Sequence, residues 1–217
     1  MKKSKALYIA IAALVAFILW TILLRIVDVQ PVGPRGSQVG FATINGFFHD
    51  LTGTNMWLYT VTDWLGLVPV IFGFGFAILG LVQWIKRRKI WKVDFSILAL
   101  GVYYIVVLAA YLLFEEFAIN YRPVLINDYL EASYPSSTTL LVLCVMPTAI
   151  IQLKNRIKSK LFRQYVVAAI VLFVVFMVLG RLISGVHWLS DIIGGMLLST
   201  ALVAFYDYII KRFPKCT

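Results

Sequence analysis

Six apolar runs with few or no charges dominate this chain and restrict what it can fold into. Three are close to the roughly 20 residues that an α-helix needs to cross a bilayer, and three are shorter. The runs are Ala6–Leu24, Leu65–Ile85, Phe95–Phe114, Thr138–Leu153, Tyr165–Gly180 and Ile192–Tyr206. Hydrophobic residues make up 61% of the chain, against about 45–50% in ordinary soluble domains. We therefore expect an integral membrane protein whose fold is all-α, a six-span transmembrane helical bundle.

The lysines and arginines indicate how the bundle is oriented. With six spans the two termini share a side, and the basic clusters share it too. These clusters are three residues at the N-terminus, five from Lys86 to Lys92, five from Lys154 to Arg163 and three from Lys211 to Lys215. The positive-inside rule makes that side, and with it both termini, cytoplasmic. The net charge of +10 follows from this topology, so no nucleic-acid partner is implied.

Residues 1–217 are predicted to form a single transmembrane domain. Residues 28–64 are the only long stretch between spans, and we expect them to form an outer interfacial segment. This segment contains aromatic residues that suit helices lying in the headgroup zone: Trp57, Tyr59 and Trp64. It is either a cover over a lipid site or a connector anchored at the interface. The cysteines predict no disulfide, since Cys144 is expected inside the fourth span and Cys216 in the cytoplasmic tail.

An arginine, a histidine and an aspartate near the C-terminus have a spacing suited to phosphate chemistry. His187 and Asp191 are four residues apart, so on a helix they would share one face, and the carboxylate would hold and polarise the imidazole. Arg181 precedes them across Ser184 and Gly185, a flexible break that lets its guanidinium fold back as a fork for phosphate oxygens. The pattern predicts a nucleophile with an orienting partner and a cationic clamp.

The predicted topology brings further polar residues to the same outer face. Arg122 follows the third span, and Pro135 is expected in the first turn of the fourth. The start of that helix offers unpaired backbone N–H groups, which bind anions, beside a run of hydroxyl side chains. The candidate substrate-binding residues are Arg122, Ser136, Ser137 and Thr138. Because all of these lie at one face with His187, we expect a site that faces out of the cell.

The order and spacing of these motifs resemble those of the type 2 phosphatidic acid phosphatase superfamily, six-span lipid phosphatases related to vanadium haloperoxidases. The likeness covers mainly residues 115–195, the predicted site region. The family's signatures are Lys-x6-Arg-Pro, Pro-Ser-Gly-His and Ser-Arg-x5-His-x3-Asp. Arg181, His187 and Asp191 match the third signature, with Gly180 in place of its serine.

This resemblance implies roles for the candidate residues. His187 would be the nucleophile that forms a phosphohistidine, and Asp191 would orient it. Arg122 and Arg181 would clamp the transferring phosphoryl group, and neither a metal nor another cofactor is implied. The expected activity is hydrolysis of a lipid phosphate at the extracytoplasmic side of the cell membrane, in a divergent member of the family.

Two departures from the signatures bear on the substrate. Glu115 stands where the first signature has lysine, and Thr138 stands where the second has the histidine that protonates the leaving group, with Ser137 in place of the preceding glycine. Threonine cannot act as a general acid near neutral pH. A lipid pyrophosphate, such as an isoprenoid one, expels a weakly basic phosphate that needs no proton, so we expect it to be the preferred substrate. His49, the only other histidine, is an alternative proton donor.

The same departures leave a second function open. A catalytically silent relative would keep the anion pocket and would bind or move phosphorylated lipids without turnover. The residues leave open the lipid chain, the headgroup and the oligomeric state.

Overall fold

The structure is a computed structural model that describes the backbone of residues 2–213 and the side chains from Ser4 onward. The side chains of Lys2 and Lys3 lie outside the described residues, as do Lys215 and Cys216 of the predicted cytoplasmic tail. In chain order the helices are α1 (Lys2–Ile26), α2 (Ala42–Thr52), α3 (Met56–Leu65), α4 (Leu67–Arg87), α5 (Phe95–Glu116), α6 (Ser137–Arg156), α7 (Lys160–Ile183) and α8 (Leu189–Arg212).

Six apolar helical segments of the described chain are long enough to cross a membrane. They are α1, α3 continued by α4, α5, α6, α7 and α8. Each contains one of the six apolar runs, so the predicted all-α, six-span bundle is confirmed. Large apolar side chains on the outer faces of these helices are exposed, as expected where lipid rather than protein surrounds a span.

Helices α6 and α8 form the centre of the bundle. They are the most buried of the six spans and also the least apolar, because a helix surrounded by other helices can bury polar groups that find partners within the protein. Helix α8 packs along α1 on one side and against α6 on the other, and α6 in turn contacts α7. Cys144 is buried within α6, which confirms its predicted place in the fourth span.

A polar cluster links the loops at one end of the bundle. Asp94, which precedes α5, pairs with Arg87 at 2.9 Å and with Arg156 at 3.5 Å. These arginines end α4 and α6, so two of the basic clusters meet at this end. Charge neutralisation by Asp94 allows them to lie close together.

The outer interfacial segment packs against the turn between α7 and α8. Gly185 in that turn has φ +66°, and a Cβ added there would lie 1.8 Å from the carbonyl oxygen of Gly53, between α2 and α3. Only glycine allows both this conformation and this approach. The N–H of Asn55 donates to the carbonyl of Ser184 at 2.9 Å. The segment therefore packs directly against the end of the bundle where α7 leads into α8.

The helix of the fourth span begins after Pro135 and does not include it. Helix α6 starts at Ser137 with Ser136 as its N-cap, so the expectation that Pro135 lies in the first turn is wrong. Residues 133–136 instead form a bent approach to the helix. Tyr134 fills a space on α8 where Gly194 has no side chain, and a Cβ there would lie 2.4 Å from the tyrosine ring. This packing holds the approach segment against the start of α8.

Candidate active site

His187 lies in the turn between α7 and α8 and is almost completely buried. Its Nε2 is 3.4 Å from Nη2 of Arg181, in the last turn of α7. Gly185, which has a positive φ, shapes the turn between them. The guanidinium of Arg181 folds back across this turn toward His187, as predicted.

His187 and Asp191 come together by a different route from the predicted one. Helix α8 begins only at Leu189 and Trp188 is its N-cap, so His187 is outside the helix and shares no helical face with Asp191. Asp191 instead turns back to the helix start, where its Oδ2 accepts the N–H of Trp188 at 2.9 Å. Nδ1 of His187 is 3.9 Å from the same oxygen. The expected shared face is therefore wrong, although the two groups are close.

Ser133 lies between the imidazole and the carboxylate. Its Oγ is 3.1 Å from Nδ1 of His187 and forms a hydrogen bond with Oδ2 of Asp191. Ser133 is not among the candidate site residues that the sequence motifs indicate. Ser133 lies two residues before Pro135, the first residue of the second motif, and this nearness was the one sequence signal that could have pointed to it.

Arg181 is fully buried, and α3 supplies its partners. Its guanidinium lies over the ring of Tyr59 at 4.7 Å from the centroid. Nη1 is 3.4 Å from both the carbonyl of Tyr59 and Oγ1 of Thr62, and 3.6 Å from Oδ1 of Asp63. The outer interfacial segment therefore satisfies a buried charge that would otherwise be very costly.

Arg122 reaches the same aromatic ring from the loop between α5 and α6. Its guanidinium carbon is 5.6 Å from the centroid of Tyr59, and its Nε is 3.0 Å from Oε2 of Glu131. The loop folds back on itself, with the N–H of Arg122 donating to the carbonyl of Glu131 and that of Ser133 to the carbonyl of Asn120. One loop thus delivers both Arg122 and Ser133.

Three donors at this place have neither a hydrogen-bond partner nor an ion-pair partner among the described residues. They are Nη1 of Arg122, Nε of Arg181 and the hydroxyl of Ser136. All three are buried, and buried polar groups in native proteins are nearly always paired. Ser136 is fixed beside the site because its N–H donates to the carbonyl of Asp191 at 3.1 Å. Two positive charges and a hydroxyl with unused donors suit an anion.

The other two candidate substrate-binding residues lie differently. Ser137 lines a small pocket with Glu115, Tyr111 and Ser133, and neither Arg122 nor Arg181 lines it. Thr138 lies at the junction of α3 and α4, where its Cγ2 would be 3.7 Å from a Cβ at Gly66. The structure therefore gathers Arg122, Ser136, Arg181, His187 and Asp191, and places Ser137 and Thr138 at the edge of that group.

Asn45 is a further residue that the sequence gave no reason to select. It is fully buried in α2, and its side chain accepts the N–H of Ser190 at 3.0 Å and donates to the Ser190 hydroxyl at 2.9 Å. The first N–H groups of a helix have no partner within it. Asn45 satisfies one of them and thereby fixes the start of α8, which carries Asp191.

The surroundings keep His187 neutral. Burial, and then the positive charges of Arg122 and Arg181, hold the pKa of His187 well below its ordinary value, and a hydrogen bond with Ser133 opposes the shift only in part. A neutral imidazole has a free lone pair on one nitrogen, which a nucleophile requires.

Comparison with known sequences finds a family likeness in the second half of the chain. The sequence profile of the PAP2 superfamily matches residues 109–214, a range that holds Arg122, Arg181, His187 and Asp191. This part of the chain is similar to the PAP2 superfamily. A search of curated proteins finds no significant match.

A solved PAP2 structure has the same fold along nearly the whole chain. It is described as the crystal structure of the first transmembrane PAP2 type phosphatidylglycerolphosphate phosphatase from Bacillus subtilis. The TM-score is 0.69, with 14% sequence identity, over 95% of this chain and 98% of that one. At this identity the likeness concerns the fold, which is that of an integral, multi-pass membrane protein.

The depressed pKa of His187 predicts a pH-dependent stability. In the unfolded chain the imidazole takes up a proton below a pKa of about 6.5, whereas the folded protein stays neutral until a lower pH. Stability should therefore fall as the pH drops below about 6.5, by up to roughly 1.4 kcal/mol per pH unit, until the folded pKa is reached. His187→Gln removes this contribution of His187 to the pH dependence of stability.

The measurement is the thermal unfolding temperature of both proteins in detergent between pH 5 and pH 8. Since every other titratable group is common to both, the difference between them isolates His187. Wild type should lose stability relative to His187→Gln as the pH falls. Parallel curves would show that the folded protein does not depress this pKa.

Proposed function

We propose that the protein is a membrane lipid phosphatase that transfers a phosphoryl group from its substrate to Nε2 of His187. The observation that carries the proposal is a buried, neutral imidazole whose Nε2 lies 3.4 Å from Nη2 of Arg181, with Nδ1 occupied by Ser133. The preferred substrate in this proposal is a lipid pyrophosphate, such as an isoprenoid one, and lipid phosphate monoesters are the lesser substrates.

The reaction has two steps. The Nε2 lone pair attacks phosphorus, the bond from phosphorus to the leaving oxygen breaks, and a phosphohistidine forms. Water then attacks that phosphorus, the P–N bond breaks, and inorganic phosphate leaves. In both steps negative charge spreads over the three equatorial oxygens, and such transition states are stabilised mainly by positioned positive charges and hydrogen-bond donors.

The unpaired donors supply this stabilisation. Nη1 of Arg122, Nε of Arg181 and the Ser136 hydroxyl are three groups for three oxygens. The first backbone N–H groups of α6 lie next to Ser136 and add the positive end of a helix dipole. Asp63 and Glu131 hold the two guanidiniums in place through ion pairs at 3.6 and 3.0 Å, leaving the unpaired nitrogens for the substrate.

We propose that the site faces the extracytoplasmic side. Arg87 and Arg156 meet at Asp94, at the opposite ends of their helices from the site loops. Their clusters contain ten of the lysines and arginines between positions 86 and 163. By the positive-inside rule this end is cytoplasmic, together with both termini. The site would then receive the headgroup of an outer-leaflet lipid.

The rival proposal is a catalytically silent relative that binds or moves phosphorylated lipids. Its support is that Thr138 is no acid, that Glu115 replaces a cation, and that each site arginine already pairs with a carboxylate. The two proposals share the anion site and differ only in whether His187 reacts.

Replacing the nucleophile should separate these proposals. In purified protein, His187→Ala should lower phosphate release from a lipid pyrophosphate by roughly 1000-fold or more. Asp191→Asn should be less severe, because the carboxylate only orients and stabilises the imidazole. The matched control is Ser199→Ala, a buried serine of α8 that bonds only to its own helix, and it should keep activity. A wild-type protein that binds the lipid but releases no phosphate would support the silent relative.

Labelling of single cysteines in intact cells tests the proposed orientation. In a variant with both native cysteines replaced, Tyr129→Cys places a thiol at a highly exposed position of the loop that carries Arg122. Lys158→Cys places one between α6 and α7. A membrane-impermeant maleimide should modify the first and spare the second. The reverse pattern would put the site in the cytoplasm.

The identity of residue 138 should control the choice of leaving group. A phosphate monoester expels an alkoxide, and a general acid accelerates such a step by about 100- to 10,000-fold. A pyrophosphate expels a weaker base and gains less from an acid. We therefore expect Thr138→His to raise hydrolysis of phosphatidic acid more than hydrolysis of an isoprenoid pyrophosphate, measured as kcat on both substrates. Equal rates on both substrates in wild type would refute the leaving-group argument and direct attention to His49.

A further inference from the structure

We propose that Ser133 is a positioning residue that connects His187 to Asp191 and fixes the imidazole in the tautomer with its proton on Nδ1. This inference rests on the proposed use of His187 as a nucleophile. It assigns a role to a residue that the motif comparison leaves without one.

The distances require an intermediary. Nδ1 of His187 is 3.9 Å from Oδ2 of Asp191, beyond the 2.7–3.2 Å typical of a hydrogen bond between nitrogen and oxygen. The hydroxyl oxygen of Ser133 lies within hydrogen-bond distance of both atoms. The carboxylate therefore acts on the imidazole through the serine.

The direction of each hydrogen bond follows from the donors. Oδ2 of Asp191 accepts the N–H of Trp188 at 2.9 Å. With the carboxylate ionised this oxygen has only lone pairs, so Ser133 donates its only proton to it. The serine oxygen then has only lone pairs left for His187. Nδ1 must therefore carry the imidazole proton and donate it to Ser133.

The other side of the ring leads to the same tautomer. Nε2 faces Nη2 of Arg181 at 3.4 Å, and a guanidinium can donate but cannot accept. Nε2 must therefore be the unprotonated nitrogen that carries the lone pair. Arg181 and Ser133 select one tautomer from opposite sides, and it is the tautomer that can attack phosphorus.

The serine is held in place by its neighbours. Its N–H donates to the carbonyl of Asn120 at 2.9 Å, and its side chain is buried. The next residue, Tyr134, forms a hydrogen bond with Thr21 at 2.7 Å and stacks on Phe17 of α1. The Ser133 hydroxyl therefore has little freedom to leave the position between His187 and Asp191.

During attack the imidazole becomes more positive, and the proton on Nδ1 is then bound more strongly by Ser133. The negative charge of Asp191 acts through the Ser133 hydroxyl and stabilises the developing positive charge on the imidazole. Loss of the hydroxyl would leave Nδ1 without its acceptor, and Arg181 alone would then oppose a proton on Nε2. The Nε2–H tautomer, whose Nε2 has no free lone pair, would therefore gain population. The expected loss in kcat is roughly 10- to 100-fold, the usual effect of removing the partner that orients a functional histidine.

The test uses the fact that the chain has only two histidines. In a His49→Gln background His187 is the sole histidine, so ¹⁵N-histidine NMR of the full chain in nanodiscs, purified without a polyhistidine tag, reports its tautomer directly. The background protein should show a protonated Nδ1 and an unprotonated Nε2. Ser133→Ala should shift the population toward the Nε2–H tautomer, whereas Ser199→Ala should leave it unchanged.

The kinetic readout runs in parallel on the same substitutions in the wild-type background. Ser133→Ala should lower kcat with little change in KM, because the serine does not contact the substrate. An unchanged tautomer in Ser133→Ala would overturn the inference. A wild-type protein that releases no phosphate would overturn the proposed function instead, and the tautomer would still decide whether Ser133 orients His187.

Discussion

A fully buried arginine at the end of α7 is the constraint on which the rest of this site depends. The guanidinium of Arg181 is stable there only because Tyr59 lies under it and Thr62 and Asp63 contact its Nη1. All three belong to α3, so the outer segment must fold against the bundle for the charge to be tolerated. The charge in turn contributes to keeping His187 neutral. The packing of α3 against the bundle therefore stabilises the charge of Arg181, and that charge in turn favours the neutral form of His187.

The start of α8 is where the separate parts of the chain meet. Asn45 from α2 and Trp20 from α1 both bond to Ser190, and the N–H of Ser136 donates to the carbonyl of Asp191. The N–H of Ser190 is one of the groups that a helix start leaves unpaired, and Asn45 satisfies it, whereas Trp20 and Ser136 donate to carbonyls of the first turn. The same hydrogen bonds fix Asp191 relative to Ser133. The contacts at the start of α8 therefore determine the relative positions of these two site residues.

The spans were predictable from sequence, and so was the proximity of the main candidate residues, because apolar run length and motif spacing are local properties. Arg122, Arg181 and His187 converge as the motifs and topology indicated. The link from His187 to Asp191 was not predictable, since a four-residue spacing suggests a helical face but α8 begins only after His187. Ser133, Tyr59 and Asn45 were missed because their roles arise from contacts between distant segments, which no local pattern records.

The central claim is that His187 forms a covalent bond to phosphorus, and trapping that intermediate tests it most directly. Wild-type protein would be mixed with a lipid pyrophosphate carrying ³²P in its terminal phosphate, quenched in alkaline detergent within milliseconds, and digested for mass spectrometry. The account predicts an alkali-stable, acid-labile phosphate on the peptide that contains His187. Release of labelled phosphate with no labelled protein at any quench time, or a label on another residue, would contradict it.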